Sequence, residues 1–303
     1  MKNTEHFLKS RRIIIVSIIG IILVCVALSL IASWDETRGL YPEQSSDNAT
    51  LIYNGTEYTL NKDVETFLVI GLKKIENDGK NDSYHNDMAA ELLTLFVLDE
   101  STQTCSALAI DGKTIAKINV LDVAGNKIST VTEPISLAHT YGKGGDVSCR
   151  NTVDAVEKLL GVKIDHSMSF DIEAMAVFTE LLDGVKIDGK KLSADDTVEY
   201  LISTEGEPVR AKRQEKFFEA VTQKFTEKLE ANEEFNLSAS LALKEYVVSL
   251  RSLSQYKSLA QKILSYDYIV IDTIDGEKND AGFVADENSL KQTVIDLFYK
   301  QIG

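Results

Sequence analysis

Three stretches of the chain carry residue types that could do chemistry. Arg210, Arg213, Gln214, Phe217 and Val221 follow i, i+3, i+4, i+7 and i+11 steps, which puts both arginines on one helical face with an apolar stripe. A guanidinium on an inward face needs an acidic or phosphate partner, because a buried charge left unpaired is strongly destabilising. The spacing fits a structural ion pair with a core carboxylate equally well. Glu91 opens the apolar run "ELLTLFVL", where a lone carboxylate is a solvated strand end, a metal ligand or a base. Gly142, Gly144 and Gly145 precede an amphipathic segment, and a glycine-rich loop running into a helix N-terminus is an anion-binding geometry. That loop holds no Gly-x-x-x-x-Gly-Lys-Ser/Thr, and residue 147 is Val where a dinucleotide turn needs a third glycine. It reads as a flexible turn ahead of a packing helix.

Other constellations are missing. No Ser/His/Asp ordering suggests a triad, and His85, His139 and His166 lie too far apart in sequence for zinc spacing. Cys25 sits in an apolar run; Cys105 and Cys149 leave a disulfide open, since spacing alone does not bring them together.

The elements that must position these residues alternate. "ETFLVIGL", "ELLTLFVL", "CSALAI", "TIAKINV" and "DYIVIDTI" read as strands, the first two buried on both faces, and "DVAGNK" at 122–127 as a hairpin turn. One helix is expected to start at Asn151 or Thr152, to carry Val153, Val156, Leu159 and Leu160, and to end at Gly161. Others are "DIEAMAVFTELLDG", a long one from near Pro208 with Phe217, Val221, Phe225 and Leu229 at i+4 steps, two around 238–265, and a last from Asp286 to about Gln301. Alternation of this kind points to an α/β fold with a mostly parallel sheet covered on both faces.

Placement comes from the N-terminus. Residues 1–12 hold Lys2, Lys9, Arg11 and Arg12 against Glu5, and Ile13–Ser33 carry no charge. At 1.5 Å per residue that run crosses a hydrocarbon core of about 30 Å, with Trp34 at headgroup level. The expectation is a cytoplasmic tail (1–12), an uncleaved signal-anchor (13–33), a polar stalk (34–50) and an extracytoplasmic domain (51–303), giving a type II single-pass protein of the cell membrane. The sequons at Asn48, Asn54, Asn81 and Asn236 matter only in a glycosylating host. With 32 Lys and Arg against 47 Asp and Glu the net charge is −15, which argues against nucleic acid as a partner.

The segments "LAHTYGKGGDVSCRNTVDAVEKLLGVKIDHSMSFDIEAM", "LLDGVKI" and "VRAKRQEKFFEA" resemble the LytR-CpsA-Psr (LCP) family of bacterial envelope proteins, clostridial forms especially. The resemblance runs from "YNGTEYTLNKDVETFLVIGL" to "FVADENSLKQTVIDLFYK". It implies a three-layer α/β/α domain on a single N-terminal transmembrane helix, with a tunnel for a polyprenyl chain. It also implies transfer of a glycopolymer from a polyprenyl pyrophosphate to peptidoglycan, with Mg²⁺ as the divalent metal. Bidentate arginines and the metal would neutralise the pyrophosphate leaving group.

The site motifs are degenerate against that family. Where it has Arg-x-Asp this chain has Ala89-Ala90-Glu91, or in a second register His85-Asn86-Asp87; its Arg-Asp-Thr becomes Gly112-Lys113-Thr114, and its later Arg-x-Arg becomes Ile202-Ser203-Thr204. Arg210, Arg213 and Gln214 remain as expected. The resemblance therefore assigns Glu91, Arg210 and Arg213 to catalysis, Lys113 and Gln214 to ligand binding, and Glu91 to the metal. Losing several charge-assisted contacts at roughly 1.5–3 kcal/mol each removes orders of magnitude in rate. The expected function is binding of a polyprenyl-(pyro)phosphate-linked glycan or prenyl lipid with weakened or absent phosphotransfer, a pseudoenzyme in cell wall biogenesis. The alternatives are an active phosphotransferase and a non-catalytic tethering module.

Overall fold

In the computed structural model, the described residues are 50–75, 85–202, 207–232, 235–250, 259, 262–263, 265–270 and 274–302. The expected tail, anchor and stalk, and Ser203 and Thr204, lie outside them apart from Thr50. Among the described residues no helix is long and apolar enough to cross a membrane. The chain forms two compact units, one of Leu40–Ser169 with Ile271–Gly303 and one of Phe170–Val270.

The larger unit is built on long apolar strands. β1 (Thr50–Tyr53), β2 (Thr56–Leu60), β3 (Val64–Lys74), β4 (Met88–Asp99) and β5 (Thr104–Ile110) come first. In β3 the run Phe67–Leu72 is buried on both faces, as its unbroken apolar sequence requires. β3 pairs with β4, and β4 with β5, and both pairs are antiparallel. At these two pairings the expected parallel arrangement is corrected: antiparallel strands covered on both sides give the same continuous apolar runs. β6 (Ile115–Leu121) and β7 (Lys127–Pro134) form the hairpin expected from "DVAGNK", with the Asp122 carboxylate accepting from the amides of Ala124 and Asn126.

A 3₁₀ segment, Ile135–Thr140, leads into α1 (Gly145–Leu160). The helix starts six residues before the expected Asn151 cap. Its N-cap is Gly144, and it ends on Gly161 in the left-handed conformation, as expected. Asn151 and Thr152 are mid-helix and buried, and the buried face runs through Ser148, Asn151, Thr152, Ala155 and Val156 instead of Val153 and Leu159. Asn151 is inside because its amide donates to the carbonyls of Asn119 and Ala138, at 2.9 and 2.8 Å. β8 (His166–Asp171) follows, and β13 (Gly276–Asn279) pairs with β14 (Gly282–Ala285). The last expected helix is α6 (Glu287–Phe298), capped by Asp286, whose carboxylate accepts from the Ser289 amide at 2.8 Å. Its final residues instead form β15 (Tyr299–Gln301), which joins β1 and β2 in a three-stranded sheet. Cys105 and Cys149 are both buried, and no disulfide joins them.

The smaller unit is mostly helical: α2 (Glu173–Leu181), the β9–β10 hairpin (Val185–Ile187 and Lys190–Leu192), α3 (Ala194–Ile202), α4 (Glu207–Ala231) and α5 (Phe235–Leu243). Pro208 falls in the first turn of α4, where its missing N–H is no loss. Phe217, Val221 and Phe225 are buried, which is the stripe read from the i+4 steps. Phe225 packs at a tilt against Phe178 of α2 and Phe235 of α5, with ring centroids 5.5 and 5.8 Å apart. Of the two helices expected around 238–265, α5 is the first, and residues 259, 262, 263 and 265 are helical; between them the chain forms a strand, β11 (Val247–Leu250), and β12 (Asp267–Val270) matches the start of "DYIVIDTI".

Candidate functional site

Each unit holds part of the expected constellation. In the larger unit Glu91 lies within β4, three residues past its start rather than at its end. Ala90 pairs with Leu72 and Leu92 with Gly71, so Glu91 is the extra residue of a β-bulge. A bulge re-aims one side chain and breaks the ladder locally, which is how a strand presents a single polar group. Glu91 is half-buried and makes no ion pair among the described residues.

The segment Asp111–Thr114 packs against this bulge. Asp111 Oδ1 accepts from the Lys113 amide at 2.9 Å and the Asp111 carbonyl from the Thr114 amide at 2.8 Å, a turn closed by an aspartate. The carbonyls of Gly112, Lys113 and Thr114 accept from the amides of Ser136, Phe283 and Ile135, at 2.8–2.9 Å. Lys113 therefore projects into solvent from a backbone fixed on every side. A Cβ on residue 112 would lie 3.1 Å from the Ala90 carbonyl oxygen, 3.3 Å from Ser136 Cβ and 3.8 Å from Glu91 Cα. A side chain there would need Ala90 O and Ser136 Cβ to give by a few tenths of an ångström.

The two registers for the acidic motif separate on contacts. Asp87 pairs with Lys74 at 3.2 Å on an open surface, whereas Glu91 abuts the Gly112 segment. Asn86 serves a different purpose, which sequence reading missed. Its side-chain amide donates to the carbonyls of His139 and Thr140 (2.7 and 3.1 Å) and to Ser148 Oγ (3.1 Å), with Gly142 O at 3.3 Å. Ser148 Oγ in turn donates to Tyr141 O and accepts from the Gly144 amide. The glycine loop is thus held by one asparagine and one serine, and Gly142, Gly144 and Gly145 supply its positive φ values of 91°, 84° and 59°. Within the loop the Gly142 carbonyl and the Gly144 amide are engaged in these internal bonds.

His139 is sealed beneath this loop. Its Nδ1 donates to Met88 O at 3.0 Å, and Nε2 is buried with no hydrogen-bond partner. Burial pushes its pKa down to about 4, so the ring stays neutral. Tyr141 donates its hydroxyl to Glu133 at 3.0 Å; burial first, then that carboxylate, raises its pKa to about 12.

In the smaller unit Arg213 lies over the Tyr200 ring, 5.9 Å from the centroid, and is half-buried. Gln214 Nε2 donates to Leu201 O at 3.0 Å, tying α4 to the end of α3. Arg210 is in the first turns of α4, and its side chain is outside the described residues. Among the described residues no group of three or more His, Cys, Asp or Glu side chains is placed to hold a metal ion. Glu91 alone would supply one ligand, so most of the coordination of a Mg²⁺ there would come from water and substrate phosphate.

No protein-family model matches the sequence, and no curated protein matches it. Solved structures do. A structure described as the LytR-CPS2A-psr family protein YwtF (TagT) with bound octaprenyl pyrophosphate lipid is 16% identical with a TM-score of 0.50, covering 78% of this chain and 90% of that one. TagT bound to LI-WTA is 17% identical with a TM-score of 0.53 at the same coverage. Bacillus subtilis TagV is 19% identical with a TM-score of 0.51, covering 78% of this chain and 96% of that one. At such identities the likeness speaks for the fold, and the mixed α/β fold of this chain is that of the LytR-CpsA-Psr family proteins.

Proposed function

We propose that this chain is an LCP-family envelope protein that binds a polyprenyl-(pyro)phosphate-linked glycan or prenyl lipid outside the cell membrane and transfers it weakly or not at all. In this reading a three-layer α/β/α domain stands on a single N-terminal helix as a type II membrane protein, close to peptidoglycan. The relatives by fold support the ligand class, since one was solved with octaprenyl pyrophosphate and another with LI-WTA. The observation that carries the weakened chemistry is Gly112. The resemblance expects an arginine there; this chain has a buried glycine that carries no guanidinium and packs closely on Ala90 O and Ser136 Cβ. A pyrophosphate leaving group would lose a bidentate donor at the place where charge develops.

A second reading, an active phosphotransferase, rests on Glu91. This carboxylate, re-aimed by a bulge and lacking an ion-pair partner among the described residues, is the one acid of the resembled motif that remains. Mg²⁺, when bound, supplies charge neutralisation on the phosphates. Glu91 would hold it, and Lys113 would offer a further cation from its fixed turn.

The test is a thermal-shift titration of the full chain in mild detergent with a prenyl pyrophosphate and the matching prenol, each with and without Mg²⁺. Ligand at about 100 times its Kd stabilises the native state by about 2.7 kcal/mol. Equal shifts by both lipids support a binding protein with a disabled head-group site. A shift by the pyrophosphate alone, strengthened by Mg²⁺ and followed by polymer transfer with purified components, moves the assignment to the enzyme. No shift by either lipid refutes lipid binding and leaves the tethering module.

A further inference from the structure

Although the chain carries a net charge of −15, the β9–β10 hairpin of the smaller unit is rich in lysine. The β9–β10 hairpin and its approach contain two acids, Asp183 and Asp188, and three lysines, Lys186, Lys190 and Lys191. Both acids are already engaged by α4: Asp183 pairs with Lys228 and Asp188 with Lys216. The hairpin lysines are exposed, and among the described residues they form no ion pair. Lys186 and Lys191 stand directly opposite each other in the antiparallel register, on the face away from the buried Val185 and Ile187. Like charges directly opposed across two strands destabilise the pair. The Lys191 side chain is also positioned: it lies along Gly184, where a Cβ would come within 2.5 Å of Lys191 Cε and 2.9 Å of Leu192 O. Gly184 has φ of +81°, so the same residue makes the turn and clears the path for the lysine.

We propose that the Lys186–Lys191 face of the hairpin is a docking surface for a polyanionic polymer carrying phosphodiesters, the chemistry of an anionic wall glycopolymer. The proposal rests on the reading above that the chain handles a glycopolymer, and it extends that reading from the lipid end of the substrate to the polymer chain. Charge complementarity carries it. Two exposed lysines at opposed positions of one hairpin face, beside acids that pair with α4, match successive phosphates of a flexible chain and relieve their own repulsion on binding. A flat anionic membrane would need a broader basic surface than this hairpin, whose flanks include Asp183 and Asp188.

The experiment uses the full chain in detergent and a defined poly(glycerol phosphate) oligomer. Binding is followed by fluorescence anisotropy across a salt series, for wild type, for Lys186→Glu with Lys191→Glu, and for the milder Lys186→Gln with Lys191→Gln. Both double variants are expected to weaken binding at least tenfold and flatten its salt dependence. Lys186→Glu alone is expected to keep or raise the melting temperature, because it turns a repulsive pair into an attractive one; a purely structural pair of lysines would show the opposite. Gly184→Ala, which displaces Lys191, is expected to weaken binding as well. Unchanged oligomer affinity in the glutamine variant overturns the proposal, as does wild-type binding to phosphatidylglycerol vesicles with none to the oligomer. The prenyl pyrophosphate shift is measured on the same samples. If that shift is present and polymer binding is absent, only this proposal fails; if both are absent, the functional reading beneath it fails too.

Discussion

Lowering the pH should unfold this protein partly through one residue, His139. Its side chain is fully buried, Nδ1 donates to Met88 O, and Nε2 has no hydrogen-bond partner, so a second proton would place a charge where nothing accepts it. The folded pKa is about 4 against an ordinary value of 6.5. Between those values the unfolded chain binds a proton that the native one does not, so stability present above pH 6.5 is lost as pH falls. At about 1.4 kcal/mol per pH unit the loss is about 2 kcal/mol between pH 7 and pH 5 and about 3 kcal/mol by pH 4. Urea unfolding of the full chain in detergent at pH 7, 6 and 5 should show this as a falling midpoint. His139→Gln cannot titrate, and its midpoint should fall less over the same range by that amount. Carboxylates such as Asp99, held below their ordinary pKa by hydrogen bonds that outweigh its burial, contribute equally to both proteins and cancel in the difference. Parallel curves for wild type and variant, or a His139 imidazole resonance titrating near 6.5, would refute the reasoning.

Two further outcomes test the site's packing. Gly112→Arg, which writes the resembled motif back into the chain, should destabilise by roughly 1–3 kcal/mol and not raise polymer transfer, because the side chain must displace Ala90 O or Ser136; a gain in transfer with no loss of melting temperature would show that the bulge yields. Asn86→Ala removes the side-chain donor to His139 O and one of two donors to Thr140 O and to Ser148 Oγ, and should cost about 1–3 kcal/mol. Hydrogen exchange should then quicken at Gly142–Gly145 ahead of the rest of α1, and uniform protection across that helix would disprove the anchoring role.

Much of the fold was legible where one pattern meant one thing. Phe67–Leu72 and the Leu92–Leu98 run could only be buried strands, and Phe217, Val221 and Phe225 could only be one helical face. Strand direction was not legible, because a sheet covered on both sides erases the alternation that marks antiparallel pairing. The start of α1 was misjudged because Asn151 and Thr152 have the chemistry of caps, yet Asn151 is a buried donor to β6 and the 3₁₀ segment and Thr152 donates to Ser148 O one turn back in α1. The bulge at Glu91 left no trace either, since the residues around it are apolar on both phases. Asn86 is the clearest case. Its partners lie 53–62 residues away, and local spacing carries no information about contacts of that range.

The sheet formed by β1, β2 and β15 bears on how the chain matures. β2 finds one partner three residues upstream and the other some 240 positions downstream, where Ile302 donates to Glu57 O and the Asn61 amide to Phe298 O. A ribosome delivers the first strand pair early and β15 only some 240 residues later. Until then one side of β2 is an open template for a stray strand. β15 therefore acts as a completion signal for this sheet. A chain cut short before β15 emerges with an unsealed edge that marks it for proteases and chaperones.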